Sequence, residues 1–448
     1  MLKYIFNIIK NTYFTKQFYY ISSGIVVLFV LGHFISIFYF IAKISLLFLS
    51  IILIINSFFL NYIKEPIEAK RILGQRLSNG DNNEITIKLK NLYPYLINFK
   101  IIDEIPFQFQ IRNFEINISI NYREEKNLNY ILKPTKRGEY NFGKLIVYAN
   151  HKINLISRKI SFDYKKTVSV YPSFIQMRKY ELLAISNRLT EAGIKKIRRL
   201  NYTHEFDQIK EYIEGEDFRT INWKATARKN QLMVNQYQDE KSQQVFSVID
   251  MGRTMEMPFE NMSLLDYAIN SSLIISNIAI YKQDKAGLIT FSNNIHNILP
   301  AEKSKLQMNK ILETLYRQNT NFKESSFEEL YISIKNKVKQ RSLLLLYTNF
   351  EWEVSMQRQL KYLKQLNKNH LLIVIFFKNT EIKKIIEKKS TSISEIYTKT
   401  IAEKLSFEKK LIVKELQKHG IQSILTEPEN LNVNTINKYL QLKASGQI

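Results

Sequence analysis

Cysteine is absent from this chain. That excludes a disulfide framework, cysteine-ligated zinc, iron–sulfur clusters and a cysteine nucleophile. Histidine is scarce: the 6 residues, at 33, 151, 204, 296, 370 and 419, are too scattered for a His-rich metal site. Glycine is scarce as well, with 12 residues. None of them builds the phosphate-binding patterns G-x-x-x-x-G-K-[ST] or G-x-G-x-x-G, and G-x-S-x-G and H-E-x-x-H are missing too. Negative charge is the minority: Asp plus Glu is 41 against 65 Lys plus Arg, a formal net charge of +24. Nucleic acid, an anionic membrane or a composition bias could each produce that excess. What is present is apolar: 45% hydrophobic residues in 448 positions exclude a wholly disordered chain and suit two to four domains.

The longest apolar run lies near the N-terminus. Residues 17 to 63 contain one charged side chain, Lys43. That length is about twice the roughly 20 residues one membrane-spanning helix needs. The pattern predicts two spans, 18–40 and 42–63, joined by a tight turn near Lys43, as a membrane anchor over 1–64. Lys3, Lys10, Lys16, Lys64, Lys70 and Arg71 flank the pair, so the positive-inside rule predicts a cytoplasmic membrane protein with both termini in the cytoplasm.

From Arg76 the hydrophobic period changes to two. Ile85-Thr86-Ile87-Lys88-Leu89 and Phe114–Ile120 alternate, with turn signals at Asn79-Gly80-Asp81 and Lys136-Arg137-Gly138. Residues 65–175 are predicted as an antiparallel, Ig-like β-sandwich. Residues 176–240 form a linker and a dense motif. The linker is basic, with Lys195-Lys196-Ile197-Arg198-Arg199, and the next stretch inverts the sign with Glu205, Asp207, Glu211, Glu214, Glu216 and Asp217. No nucleic-acid-binding module accompanies the basic run, so nucleic acid is not an expected partner.

From 241 to 448 apolar runs alternate with helical patterns. Strands are predicted at Val245–Ile249, Ala286–Phe291, Leu343–Tyr347, Leu371–Phe377 and Ile421–Leu425, with helices between them. That alternation means a mostly parallel sheet covered on both faces. Ligands of such sheets bind beyond the carboxyl ends of the strands, which points to Asp250-Met251-Gly252-Arg253-Thr254 and to Thr348-Asn349. An Asp among small hydroxyl residues there can hold a hard cation such as Mg²⁺, or can cap the following helix.

The stretch Glu205-Phe206-Asp207, Glu211-Tyr212, Gly215-Glu216-Asp217, Arg219, Asn222-Trp223-Lys224 and Arg228 resembles the signature of bacterial domain-of-unknown-function family fifty-eight. Those are MoxR-associated proteins with a von Willebrand factor A-like domain. Pro134–Tyr140 and Val170–Ser173 are similar to landmarks of the family's preceding β domain. The resemblance implies a C-terminal α/β, von Willebrand A-like (Rossmann-like) domain and an AAA+ ATPase partner of MoxR type, with other von Willebrand A-like proteins as further partners. It also implies a metal-ion-dependent adhesion site of pattern D-x-S-x-S plus a loop Thr and a later Asp. Asp250 matches the first Asp, Gly252 stands at the first Ser, Thr254 at the second, Thr320 at the loop Thr and Asn349 at the later Asp. The site therefore reads as degenerate, and no cofactor beyond Mg²⁺ is implied.

No complete catalytic set is present. The function expected is a membrane-anchored protein-interaction module facing the cytoplasm, working with a MoxR-type ATPase in assembly or maturation of other proteins. The alternative is a metal-dependent hydrolase built on Glu205, Glu211, Asp217 and Asp250.

Overall fold

A computed structural model describes residues 10–185, 193–194, 205–213, 218–238, 242–259, 262–320, 322–389 and 392–447. The chain divides into two compact units, Met1–Tyr171 and Pro172–Ile448.

The first unit opens with a short strand β1 (Thr12–Phe14) and two helices, α1 (Lys16–Phe34) and α2 (Ser36–Asn61). By length and composition both are apolar enough to cross a membrane. The break between them falls at Ile35, in extended conformation (φ −134°, ψ 114°), rather than at Lys43. This corrects the predicted spans 18–40 and 42–63. The physical reason is local. Gly32 lets the chain reverse tightly, because a Cβ there would lie 2.7 Å from the Tyr39 backbone nitrogen. Lys43 is carried inside α2 with its amine 4.5 Å from the Tyr39 ring centre, a stacking that offsets part of the cost of a charge in an apolar helix.

The strands after these helices are β2 (Ile67–Ile72), β3 (Arg76–Ser78), β4 (Asn83–Asn91), β5 (Ile97–Asp103), β6 (Ile116–Ile120), β7 (Glu125–Leu132), β8 (Gly138–Phe142), β9 (Leu145–Asn150), β10 (Ile156–Phe162) and β11 (Lys166–Tyr171). They form three sheets, ordered β1-β10-β9-β5-β6, β2-β4-β7 and β3-β11-β8. All ladders are antiparallel except β3 with β11, which is parallel. Period-two alternation buries one face: Ile85, Ile87 and Leu89 of β4 are fully buried while their neighbours are not. The end of α2 is tied to this unit by polar bonds. Tyr93 donates its hydroxyl to the Leu60 carbonyl at 2.8 Å, and the Arg158 guanidinium donates to the carbonyls of Leu60 (2.7 Å) and Ile63 (2.8 Å). These bonds take up carbonyls that a helix end leaves without intrahelical donors.

The second unit begins with α3 (Phe174–Ile185), β12 (Glu205–Glu211), α4 (Trp223–Lys229) and β13 (Met233–Gln238). Then comes the α/β part: β14 (Gln244–Asp250), α5 (Leu264–Tyr281), β15 (Lys285–Phe291), β16 (Ile295–Glu302), α6 (Lys305–Tyr316), α7 (Phe327–Lys337), β17 (Leu343–Tyr347), α8 (Glu353–Asn369), β18 (Leu371–Phe377), α9 (Thr380–Glu387), α10 (Ile393–Lys418), β19 (Gln422–Thr426) and α11 (Leu431–Ala444). Six strands make one sheet in the order β16-β15-β14-β17-β18-β19. All its ladders are parallel except that of β15 with the edge strand β16. Both faces are covered. Leu343, Leu345 and Tyr347 enter the core beneath α5, and Leu344 and Leu346 enter the one beneath α7 and α8. Helix α5 is apolar enough for a membrane span, yet it is buried along nearly its whole length against this sheet. It is therefore a core helix. The chain moves outward from β14 in one direction to β15 and in the other to β17, so the topological switch point lies beyond the carboxyl ends of β14 and β17.

Candidate functional site

Two features concentrate polar side chains in the second unit. The first is the switch point, where Asp250 ends β14 and Thr348-Asn349 come directly after β17. Asp250 is buried, and both of its carboxylate oxygens are engaged. Its Oδ1 accepts from the Gly252 backbone N–H at 2.8 Å and from the Ser325 hydroxyl, and its Oδ2 accepts from the Thr348 hydroxyl at 2.7 Å. Burial pushes the carboxyl above the ordinary carboxylate range, and the hydroxyl and amide donors oppose that rise.

Ser325 is the residue that sequence reasoning missed. A Cβ at Gly252 would collide with the Ser325 oxygen. The space that a serine at 252 would take is thus filled by a hydroxyl from a loop 75 residues from Asp250 in the chain. The glycine and the distant serine are one device, and the spacing of a local motif cannot reveal it.

The remaining residues of the candidate metal set point elsewhere. Thr320 donates its hydroxyl to the Met251 carbonyl at 2.9 Å and so ties two loops together. Asn349 donates to the Thr254 carbonyl at 3.4 Å, and its Oδ1 accepts from the Lys409 ammonium at 2.8 Å. Lys409 also donates to the Phe350 carbonyl. Burial lowers the Lys409 pKa to about 8, with Glu351 opposing the shift. These groups do not fit a Mg²⁺ site. Asp250 is the one carboxylate, its oxygens are occupied by donors, and the oxygen at 349 already faces an ammonium. Among the described residues no three His, Asp or Glu side chains gather around a common point.

The second feature is the signature segment. The sequence shows no clean period there, yet β12 and β13 pair antiparallel, with a bulge between Phe206 and Gln208. Glu205 and Phe206 lie on β12, but their side chains, like all of Gly215 and Asp217, fall outside the described residues. Asn222 organises the helix after it. It caps α4 by accepting from the Ala225 N–H at 3.1 Å and donates to Asn235 at 2.8 Å. Thr226 accepts from the Met233 N–H at 3.0 Å, and the Tyr212 N–H donates to the Leu232 carbonyl at 2.8 Å. These bonds fix the arm. Two aromatic side chains on it take no such structural part: Trp223 and Phe218 are each 70% exposed. Arg219 has its guanidinium 5.9 Å from the Phe218 ring centre, and Glu211 and Arg228 are not buried. Glu211 and Asp250 share no partner, since the one sits at the end of β12 and the other is sealed beneath the switch-point loops.

The switch point and most of the signature segment fall within the region of a family match. Residues 208–385 match the family described as Protein of unknown function DUF58. An uncharacterized protein of Bacillus subtilis, YeaD, is 23% identical over 248 residues, covering 54% of this chain. The match spans 59% of YeaD's own length. Among solved structures, the conserved hypothetical protein BatB from Bacteroides thetaiotaomicron is similar over 45% of this chain and 98% of its own, with TM-score 0.30 and 12% identity. The CARDB domain of the PF1109 protein from Pyrococcus furiosus is similar over 23% of this chain and 86% of its own, with TM-score 0.18 and 17% identity.

Proposed function

We propose that this protein is a membrane-associated interaction module. In this reading α1 and α2 are two spans in the cytoplasmic membrane with both termini in the cytoplasm. The sheets of the first unit form an Ig-like sandwich, and the α/β part is a von Willebrand A-like domain. Its partner is an AAA+ ATPase of MoxR type, engaged during assembly or maturation of other proteins. The observation that carries the interaction reading is the exposure of Trp223 and Phe218 on an arm whose shape is held by Asn222 and Thr226. Large exposed aromatics are where binding energy concentrates in protein interfaces. The basic side chains Lys224, Arg228 and Lys229 on the same helix add charge for an acidic counter-surface.

The test is affinity purification of the full chain from native membranes, with identification of the proteins that co-purify. An AAA+ ATPase should be recovered with the wild type and lost, by tenfold or more, with Trp223→Ala combined with Phe218→Ala. Recovery undiminished by the double variant removes the arm from the interface, and the absence of any AAA+ protein removes the partner. The alternative hydrolase reading has little support: Glu211 and Asp250 are not brought to one site, and both oxygens of Asp250 are already taken by donors.

A further inference from the structure

Beyond the carboxyl ends of β18 and β19, a cavity of about 420 Å³ opens beside α9 and α10. Its volume falls in the range of small-molecule sites. The walls are mostly apolar, formed by Phe259, Phe377, Ile382, Ile386, Leu405 and Leu425. One half-buried cation interrupts them, the Lys409 ammonium. It gives one donor to Asn349 and one to the Phe350 carbonyl. An ammonium has three donors, and the third has no acceptor among the described residues. No carboxylate among those residues lies within ion-pairing distance of it either. Neutral carbonyls alone recover only part of the cost of burying this charge, and an arriving anion would recover more. At the rim, Lys378 and Lys383 share Glu427 at 3.8 and 3.4 Å, so their charge is already partly neutralised. Glu351, Glu387 and Lys410 line the cavity as well, and Lys409, with its third donor unused, is the cation set against the apolar wall.

We propose that this cavity binds a lipophilic monocarboxylate, a molecule of the medium-chain fatty-acid class. Its carboxylate meets the Lys409 ammonium, and its chain lies along Phe377, Ile386 and Leu425. A phosphate would bring a second negative charge into a lining that already holds Glu351 and Glu387. A peptide segment would press unpaired backbone groups onto apolar walls. Neither the partner nor the membrane topology proposed above enters this inference.

The experiment is equilibrium binding of radiolabelled decanoate to the full chain in lipid nanodiscs, with the signal of empty nanodiscs subtracted. Decanol competes as the uncharged analogue of the same length. Decanoate should bind saturably, at one molecule per chain, and decanol should compete at least tenfold more weakly. Lys409→Met should weaken decanoate by roughly tenfold or more and bring it level with decanol. Ile386→Trp, which places a large ring into the cavity from helix α9, should abolish binding of both. No saturable binding by the wild type, equal affinity for decanoate and decanol, or binding unchanged by Ile386→Trp each overturns the proposal. Should Lys409→Met fail to fold, the wild-type preference and the Ile386→Trp variant still decide it.

Discussion

Asp250, Gly252 and Ser325 show how one side chain's absence is another's place. Gly252 has φ −71°, a value open to any residue, so conformational freedom does not require glycine there. What requires it is the Ser325 oxygen, which stands in the space a Cβ would take. Gly252→Ala should therefore cost roughly 1–3 kcal/mol through overpacking. Ser325→Ala removes a donor to a buried carboxylate and should cost roughly 1.5–3 kcal/mol. Pairing Gly252→Ala with Ser325→Gly should be less damaging than the sum, because the second change vacates the volume the first one fills. A denaturant double-mutant cycle reads that coupling, and strict additivity would contradict it. In the first unit a comparable buried cluster joins Arg71, Asp103 and Tyr130. The guanidinium and carboxylate meet at 2.5 Å with side chains 1% and 0% exposed, and Tyr130 donates to Asp103 at 2.5 Å. Asp103→Ala strands the guanidinium without its counterion and should destabilise by roughly 3–5 kcal/mol. A loss smaller than about 1 kcal/mol in urea unfolding, the range of an exposed pair, would show that water reaches this one.

At the scale of elements, legibility depends on burial. The strands β14, β17 and β18 are covered on both faces, so they appear as unbroken apolar runs such as Leu343–Leu346 and Leu371–Phe377. The switch-point rule places Asp250 and Thr348-Asn349 together correctly, because that rule depends on strand order alone. The edge strand β16 is not legible: it is half-exposed, carries Pro300 and lacks a clean period, and it pairs antiparallel at the sheet's edge. The ladder of β12 and β13 is hidden for a similar reason, since Gln208, Lys210 and Asn235 interrupt the apolar positions and leave no clean period-two pattern. The turn after α1 is misread from sequence because a lone charge in an apolar run resembles a turn, whereas the reversal depends on Gly32. An element end also supplies a pH prediction. His370 terminates α8, is buried, and has its pKa depressed from the ordinary 6.5 by that burial. The folded state thus resists protonation more than the unfolded one does. Stability from this group is fully present above 6.5 and is lost as pH falls through 6.5 toward the depressed value. His370→Leu should flatten that part of the stability profile measured by denaturant midpoint between neutral and mildly acidic pH; an unchanged slope assigns the acid sensitivity to another group.

For the whole molecule, the charge of +24 and the lack of cysteine bear on the same question. Lys10 and Lys16 precede or open α1, and Lys64 and Lys70 lie after α2, while Lys43 is the one charge inside the pair. With the break at Ile35 instead of near Lys43, the loop that would face away from the cytoplasm carries no charge at all, which makes the basic asymmetry between the two sides larger than the sequence pattern alone implies. Lys43 then sits about two turns inside α2, close enough to that end for its long side chain to reach the interface. A cysteine-free chain makes the proposed topology directly measurable, because any introduced thiol is the only one. Ser36→Cys should react with a membrane-impermeant maleimide in intact cells, whereas Ser445→Cys should react only after the membrane is opened. Reaction of both from outside would reverse or break the proposed topology. Reaction of neither until lysis would mean that α1 and α2 do not cross, and that their apolar faces lie against the membrane or another protein on one side.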